Sequence, residues 1–244
     1  MQSLFSQVFL ITFLPSRVLP FWTDTIVTMN TEFFESLTFE AKDYTKTPLQ
    51  RGDYENCTFK NCNFSSSNLA EIRFEDCEFL GSNLSMTTIA NTVFRNVAFN
   101  NCKMLGMNFE DCSQFGISFH FDECNLSHAS FYGGKFRRTT FSKSRLHEVI
   151  FTESDLVNCV FDECDLSRAV FDQTNLEGAD FRTSVNFAIN PNNNRMKRSR
   201  FSLPGAASLL DSFGIRTDWS YTFLFLSTLF FWYARCFIIL VIGD

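Results

Sequence analysis

Apolar side chains recur at every fifth residue through most of the chain. From Phe121 to Phe181, thirteen consecutive fifth positions hold only Phe or Leu. A second, less regular set of fifteen positions with the same spacing runs from Phe39 to Phe109. An α-helix needs an apolar period near 3.6 residues and a β-strand a period of 2, so neither element explains a period of five. The pattern predicts a regular coil in which each fifth side chain points inward.

The residue two places before each fifth position is usually small. Eight of the nine cysteines stand at this place. They are Cys57, Cys62, Cys77, Cys102, Cys112, Cys124, Cys159 and Cys164. A free cysteine behaves as a small buried apolar side chain, so we expect unpaired thiols inside the coil. Reduced thiols favour a cytoplasmic location.

The five-residue unit resembles that of the pentapeptide-repeat family, which is a small residue, a polar residue, Leu or Phe, and two more polar residues. Clear instances are Ser154-Asp155-Leu156, Cys164-Asp165-Leu166 and Ala179-Asp180-Phe181. The resemblance implies an all-β fold, a right-handed quadrilateral β-helix with about twenty residues per coil and about seven coils. Phe59, Phe79, Phe99 and Phe119 would then stack in one column, and Phe121, Phe141, Phe161 and Phe181 in another.

The two sets of fives are offset by two residues, and the offset follows Phe109. The next fifth position holds Gln114, a polar amide whose unpaired burial would cost about 1–3 kcal/mol. We therefore expect residues 113–120 to bulge from the coil, with Gly116 supplying unusual backbone angles. Loops on a rigid scaffold often carry recognition, and the alternative is a tolerated irregularity without a role.

The two ends of the chain depart from the repeat. Residues 1–28 are apolar but lack the pattern of a signal peptide, so we expect an extension outside the fold, with Met29 as an alternative start. Residues 29–186 form the predicted β-helix. Residues 187–218 are expected to cap it with a short helix, on one face of which lie Leu209, Leu210 and Phe213. This segment resembles the C-terminal end of Qnr-type pentapeptide-repeat proteins, which implies a two-fold dimer.

Residues 219–244 form a hydrophobic tail. Tyr221–Ile242 contains 22 residues and only one charge, Arg235. That length can span a bilayer, but an arginine near the middle of a span is unfavourable. Two interpretations stay open: a C-terminal membrane anchor, or a segment appended to a protein that is not membrane-bound.

The charge is unevenly distributed. Residues 40–186 contain 21 acidic and 14 basic residues, a net charge of −7, whereas residues 187–216 contain one acidic and five basic residues, a net charge of +4. An acidic body argues against direct binding of nucleic acid, because phosphate contacts need Lys and Arg. It is compatible with an acidic surface that a DNA-binding protein accepts in place of DNA.

Motifs for catalysis or metal binding are not apparent in the sequence. The three histidines belong to no recognisable metal or nucleophile motif, and the cysteine spacing is not that of zinc sites. Asp122 and Asp162 are two coils apart and should share one side, but a filled coil offers no pocket for acid–base chemistry. We therefore expect a non-enzymatic protein without a cofactor or metal.

The resemblance to Qnr-type proteins implies a homodimeric, DNA-shaped solenoid that binds a type II topoisomerase, such as DNA gyrase, and protects it from quinolones. Those proteins carry projecting loops, whereas only one register slip is visible here. The candidate partner-binding residues are Asp111, Gln114, Phe115, Gly116, His120, Asp122, Glu123, Glu153, Asp155, Asp162, Glu163 and Asp165. The alternatives are an interaction scaffold with a different partner and a solenoid tethered to the membrane through Tyr221–Ile242.

Overall fold

The computed structural model describes residues 32–215, and these form a solenoid of short parallel β-strands. The predicted extension at residues 1–28 and the predicted span Tyr221–Ile242 lie outside the described residues. The strands are β1 (Glu32–Glu35), β2 (Thr38–Glu40), β3 (Gly52–Glu55), β4 (Thr58–Lys60), β5 (Arg73–Glu75), β6 (Glu78–Leu80), β7 (Val93–Arg95), β8 (Val97–Asn100), β9 (Phe119–Asp122), β10 (Thr140–Ser142) and β11 (Val160–Asp162). A 3-10 turn (Phe109–Asp111), helix α1 (Leu203–Ser208) and a second 3-10 turn (Leu209–Phe213) complete the regular structure.

Four ladders of parallel pairing give the solenoid four sides. One side is the sheet β2-β4-β6-β8-β9-β10-β11, and another is the sheet β1-β3-β5-β7. Isolated parallel bridges twenty residues apart, such as Asn63 to Asn83 and Ser130 to Ile150, form the remaining two sides. Following the chain, we call the side of β2 the first side, that of Asn63 the second, that of Ser130 the third, and that of β1 the fourth. The predicted quadrilateral coil is confirmed.

The core is a set of aromatic and aliphatic columns. On the first side, nine Phe rings stack from Phe39 to Phe201 with centroids 4.7–5.3 Å apart and planes within 18° of each other. Burying one such ring contributes about 1.5–3 kcal/mol, and an offset stack adds about 0.5–1.5 kcal/mol per pair. The phenylalanine bias therefore serves a column that runs along the described coil.

The prediction of two separate Phe columns is wrong. Phe121, and not Phe119, stacks on Phe99, with ring centroids 5.3 Å apart and planes at 11°. Strands β8 and β9 pair Phe99 with Phe121 across 22 residues, where other coils take twenty. The two sets of fives are thus one continuous column, because the two extra residues are expelled from the coil before β9 begins.

The corner after each inward side chain is a left-handed backbone position. Twenty-three described residues other than glycine have positive φ, between 45° and 65°, and most of them stand two places after an inward residue. Asn suits this conformation because its side chain tolerates it better than most. The chain also places Glu, Arg and His there, so the corners carry many of the outward functional groups.

The small residues before each inward position bond to the neighbouring coil. Cys77 Sγ donates to the carbonyl of Tyr54, 23 residues earlier, at 3.3 Å. Ser82 Oγ donates to the carbonyl of Phe59 in the equivalent way, at 3.0 Å. The eight described cysteines are free and buried, as predicted, and cysteine and serine play the same structural part.

The coil continues beyond the predicted boundary at residue 186. Phe201 stacks on Phe181 at 5.2 Å, and parallel bridges join Asn175 to Arg195 in this additional coil. Phe187 and Ile189 are buried here although neither stands on a fifth position. The sequence period fails in this coil because inward side chains one or two residues away fill the same space.

Helix α1 follows the last coil. Ser202 caps its N-terminus by accepting a hydrogen bond from the Gly205 amide at 3.2 Å. A Cβ atom at Gly205 would lie 2.8 Å from the ring of Phe187, so glycine permits the helix to approach that ring. Among the described residues, no helix is long and apolar enough to cross a membrane.

The predicted common face of Leu209, Leu210 and Phe213 is wrong. The α-helix ends at Ser208 and tightens into a 3-10 turn, which changes the angle between successive side chains. Leu209 packs against the core, whereas Leu210 and Phe213 are exposed by 37% and 48%.

Candidate partner-binding surface

The register slip forms a small bulge at residues 114–118. The Ser113 amide still bonds to the preceding coil, at the carbonyl of Thr92, and the coil resumes where the Ser118 amide bonds to Phe94. Gly116, at φ 71°, allows the turn between them. His120 lies in β9 with its side chain exposed, so the predicted bulge of residues 113–120 is too long at its C-terminal end.

Phe119 takes the inward place that the repeat would give to Gln114. Its ring lies 5.3 Å from Phe94 and 6.3 Å from Phe136, the inward residues of the same side in the coils before and after. The Gln114 side chain turns away from the column. Its Nε2 donates to the carbonyl of Cys112 at 3.2 Å, and its Oε1 accepts from the Lys135 amide at 2.8 Å. The polar side chain is therefore satisfied at the rim of the coil.

Phe115 is an exposed aromatic side chain of the bulge. It is 78% exposed, and the guanidinium of Arg95 lies 5.8 Å from its ring centroid. An aromatic ring held outside the core by a cation is a candidate contact for a partner.

The candidate carboxylates are spread over all four sides. Asp122 and Asp162 share the first side in register, with Ser142 between them, as predicted. Glu123 and Glu163 occupy the corners that follow, in the left-handed conformation. The remaining candidates, Asp165, Asp111, Glu153 and Asp155, lie on the other three sides. These residues do not form a single patch.

Several of the predicted carboxylates are already engaged within the protein, among them Asp162, which accepts a hydrogen bond from Thr183 Oγ1 at 2.8 Å. Asp155 forms an ion pair with Arg137 at 2.5 Å. Asp165 accepts hydrogen bonds from Ser167 and Asn186, which lower the pKa of its carboxyl group. A partner would need to displace these bonds, so Asp155, Asp162 and Asp165 are weaker candidates.

A coherent acidic surface lies on the third side. It consists of Glu110, Asp111, Glu153 and Asp172, which we call the acidic face. None of the four forms an ion pair within residues 32–215. Glu110 Oε2 is buried without a hydrogen-bond partner, and the Asp172 carboxylate accepts a hydrogen bond from the side-chain amide of Asn193 at 3.0 Å. Glu110 and Asp172 were not among the residues predicted from the sequence. Each directly follows an inward phenylalanine, Phe109 or Phe171, and this common position places both on the third side.

Exposed apolar residues accompany the acidic face. Ile150 and Val170 pair in neighbouring coils and are 40% and 46% exposed, and Tyr132 is 45% exposed on the same side. Carboxylates beside exposed apolar side chains are typical of a surface that a protein partner covers.

The fourth side reverses its charge along the solenoid. Its first coils carry an excess of carboxylates: Glu32, Glu35, Asp53, Glu55, Glu75 and Asp76. Its last coils carry a basic cluster: Lys135, Arg137, Arg138, Arg195, Lys197 and Arg198. In the four coils from Phe109 to Gln173 the third side carries carboxylates and no lysine or arginine, whereas the ion pair of Arg51 with Glu71 lies earlier on the same side.

Comparison with known proteins agrees with this architecture. A family model described as the pentapeptide repeat region matches residues 53–131, and one described as pentapeptide repeats (8 copies) matches residues 120–156 and 144–182. No curated protein matches the chain.

Solved structures of QnrB1, a plasmid-mediated fluoroquinolone resistance protein, share the fold. A trypsin-treated variant of QnrB1 is 18% identical with a TM-score of 0.63, over 77% of this chain and 92% of that one. Full-length QnrB1 is 16% identical with a TM-score of 0.52, over 75% of this chain and all of that one. The two family models together span residues 53–182, more than half of the sequence, and the chain belongs to the pentapeptide-repeat family.

Proposed function

We propose that this chain is a non-enzymatic protein that binds a type II topoisomerase, such as DNA gyrase, and protects it from quinolones. The observation that carries the proposal is the acidic face, presented on a solenoid that resembles the fold of QnrB1 over nearly the whole QnrB1 chain. Fold alone does not fix function, so the acidic face is the feature that supports this function.

The charge spacing of the acidic face suits a site that receives DNA. The four carboxylates lie on three of four successive coils, and parallel coils rise by about 4.8 Å, so the acidic face spans about 14 Å. One DNA strand places about four phosphates in that length, at about 3.4 Å each. Four carboxylates over the same distance match the charge of one strand. The neighbouring Ile150 and Val170 would add apolar contacts that DNA cannot make.

The proposal also includes a dimer formed through the C-terminal end of the solenoid and a cytoplasmic location. Leu210 and Phe213 expose apolar surface beyond the cap, and we propose that they pair with the same residues of a second copy. The eight buried free cysteines suit the reducing cytoplasm, where a topoisomerase acts.

The test is a supercoiling assay with gyrase in ciprofloxacin, with the full-length protein added at increasing excess. We expect restored supercoiling with wild type and its loss with the triple variant Asp111→Asn, Glu153→Gln, Asp172→Asn. A matched control removes three carboxylates elsewhere, Glu40→Gln, Asp53→Asn and Glu177→Gln, each of which pairs with a basic residue of a neighbouring coil. No restoration by wild type at any excess would contradict the proposal.

The basic cluster favours a second candidate, an interaction scaffold for an acidic partner. Lys135, Arg138, Lys197 and Arg198 have no ion pair among those of residues 32–215, so they are available to a negatively charged surface. In this case a reproducible partner other than a topoisomerase is captured from lysate, and capture fails for Lys197→Glu, Arg198→Glu but not for the acidic-face variant.

A further inference from the structure

His128, His147 and Glu148 converge at one corner of the solenoid. Each offers a ligand atom, and these atoms lie within 4.8 Å of one another. His128 Nδ1 lies 3.1 Å from one carboxylate oxygen of Glu148, and His147 Nε2 lies 3.8 Å from the other. The two imidazole rings are perpendicular, with centroids 5.8 Å apart.

The repeat geometry brings these residues together. His128 and Glu148 occupy the same left-handed corner in successive coils, with φ values of 62° and 55°. A backbone hydrogen bond from the His128 amide to the His147 carbonyl, at 2.9 Å, fixes the two coils at this corner. Nineteen residues separate the two histidines, a spacing that is unlike any short zinc motif, so the sequence alone gives no sign of the cluster.

We propose that His128, His147 and Glu148 bind a first-row divalent metal ion, with Zn²⁺ as the probe. Two imidazoles and a carboxylate are ligands that Zn²⁺ accepts, and three protein ligands leave a fourth position for water. Ligands bound at 2.0–2.1 Å in a tetrahedron lie about 3.4 Å apart. The spacings of 3.1 and 3.8 Å bracket that value, and rotation of the partly exposed side chains supplies the adjustment.

Arg168 competes with the metal for Glu148. It occupies the next corner in the same column, and its Nη1 lies 2.8 Å from the Glu148 oxygen that faces His147. The hydrogen bond from this guanidinium lowers the pKa of the Glu148 carboxyl group. The other Glu148 oxygen faces His128 and stays open to the ion. Removal of Arg168 should therefore strengthen metal binding.

A metal bound here would tie two adjacent coils together, since His128 belongs to one coil and the other two ligands to the next. A ligand that binds only the folded chain stabilises it by mass action. The inference is independent of the proposed topoisomerase partner, because the acidic face contributes none of the three ligands.

The test uses the tag-free, full-length protein titrated with ZnCl2, followed by calorimetry and by the imidazole NMR resonances. The chain contains only three histidines, so each can be assigned. We expect Zn²⁺ to shift the resonances of His128 and His147 and to leave those of His120 in place. His128→Asn, which keeps a residue suited to a left-handed corner, and His147→Gln should each weaken binding by about tenfold or more.

Two controls separate this site from adventitious binding. His120→Gln removes an exposed histidine from a strand and should leave the affinity unchanged. Arg168→Ala should tighten binding about two- to fivefold, as expected from the loss of one exposed ion pair. The proposal is overturned if the wild type shows no shift of His128 and His147, or if binding persists undiminished in both ligand variants, since the cluster is then a surface ion pair only.

Discussion

Phe99 and Phe121 stack face to face although 22 residues separate them, two more than separate the other partners of the column. The ring geometry is the same as elsewhere along the column, so the two extra residues do not strain the core. They are accommodated at the bulge, where Phe119 enters the core in place of Gln114.

Phe119→Ala should destabilise the protein by about 3–5 kcal/mol, because it opens a cavity between the rings of Phe94 and Phe136. The measurement is chemical denaturation of the two proteins side by side. Phe115→Ala, in the same bulge but largely exposed, should change the free energy of unfolding by less than about 0.5 kcal/mol. Equal effects for the two substitutions would show that Phe119 does not fill the column.

Phe151→Ala tests the core away from the bulge. Its ring lies between Phe131 and Phe171, with centroids 5.1 and 5.0 Å away, and it is fully buried. We expect a loss of about 3–5 kcal/mol in the free energy of unfolding. Phe151→Leu is the matched control, because leucine fills equivalent inward places at Leu156 and Leu166, and it should cost clearly less. An unchanged melting midpoint for the alanine variant would contradict the inward position.

Much of this core could be predicted from the sequence, because the period of five assigns a direction to each side chain. The exchange of Gln114 for Phe119 could not be predicted, since both positions continue the series of fives that runs from Phe39 to Phe109. Only the surrounding rings decide which side chain enters the core. Phe187 and Ile189 also escape the period, since each fills its space from a neighbouring position. The acidic face and the histidine cluster depend on which corners stack twenty residues apart, which a linear reading of motifs does not show.

Buried thiols should make the protein sensitive to alkali. Burial raises the pKa of Cys77, Cys112, Cys159 and Cys164 to about 12, from 9.0 in the absence of perturbation. Between these values the unfolded chain has lost the thiol protons and the folded chain keeps them, so stability falls as pH rises from about 9 to 12. Below pH 9 these thiols contribute no pH dependence.

Cys164→Ser isolates the contribution of one thiol. Serine forms the equivalent bond elsewhere, as Ser184 does with the carbonyl of Phe161 at 2.7 Å. Denaturation between pH 8 and pH 11 should show a slope smaller by up to about 1.4 kcal/mol per pH unit in the variant. Equal slopes of the free energy of unfolding against pH in the variant and the wild type would show that the folded chain does not retain the Cys164 thiol proton in this range.

The exposed apolar residues of the cap predict self-association. Phe213→Asp together with Leu210→Asp should convert a dimer into a monomer, because both side chains would carry charge into the proposed interface. Analytical ultracentrifugation measures the change, with circular dichroism to verify that the coil persists. Leu203→Asp is the control: Leu203 is 72% exposed at the start of α1, and its substitution should leave the mass unchanged. A monomeric wild type would rule out the dimer.

Competition with DNA at gyrase shows whether the enzyme accepts the acidic face in place of DNA. Fluorescence anisotropy of a labelled duplex bound to gyrase, with increasing full-length protein, reports whether the solenoid displaces DNA. We expect the wild type to displace the duplex in a manner that weakens with added salt, and the triple variant Asp111→Asn, Glu153→Gln, Asp172→Asn to displace it at least about tenfold less well. Absence of displacement by wild type, or equal displacement by the triple variant, would contradict the proposal.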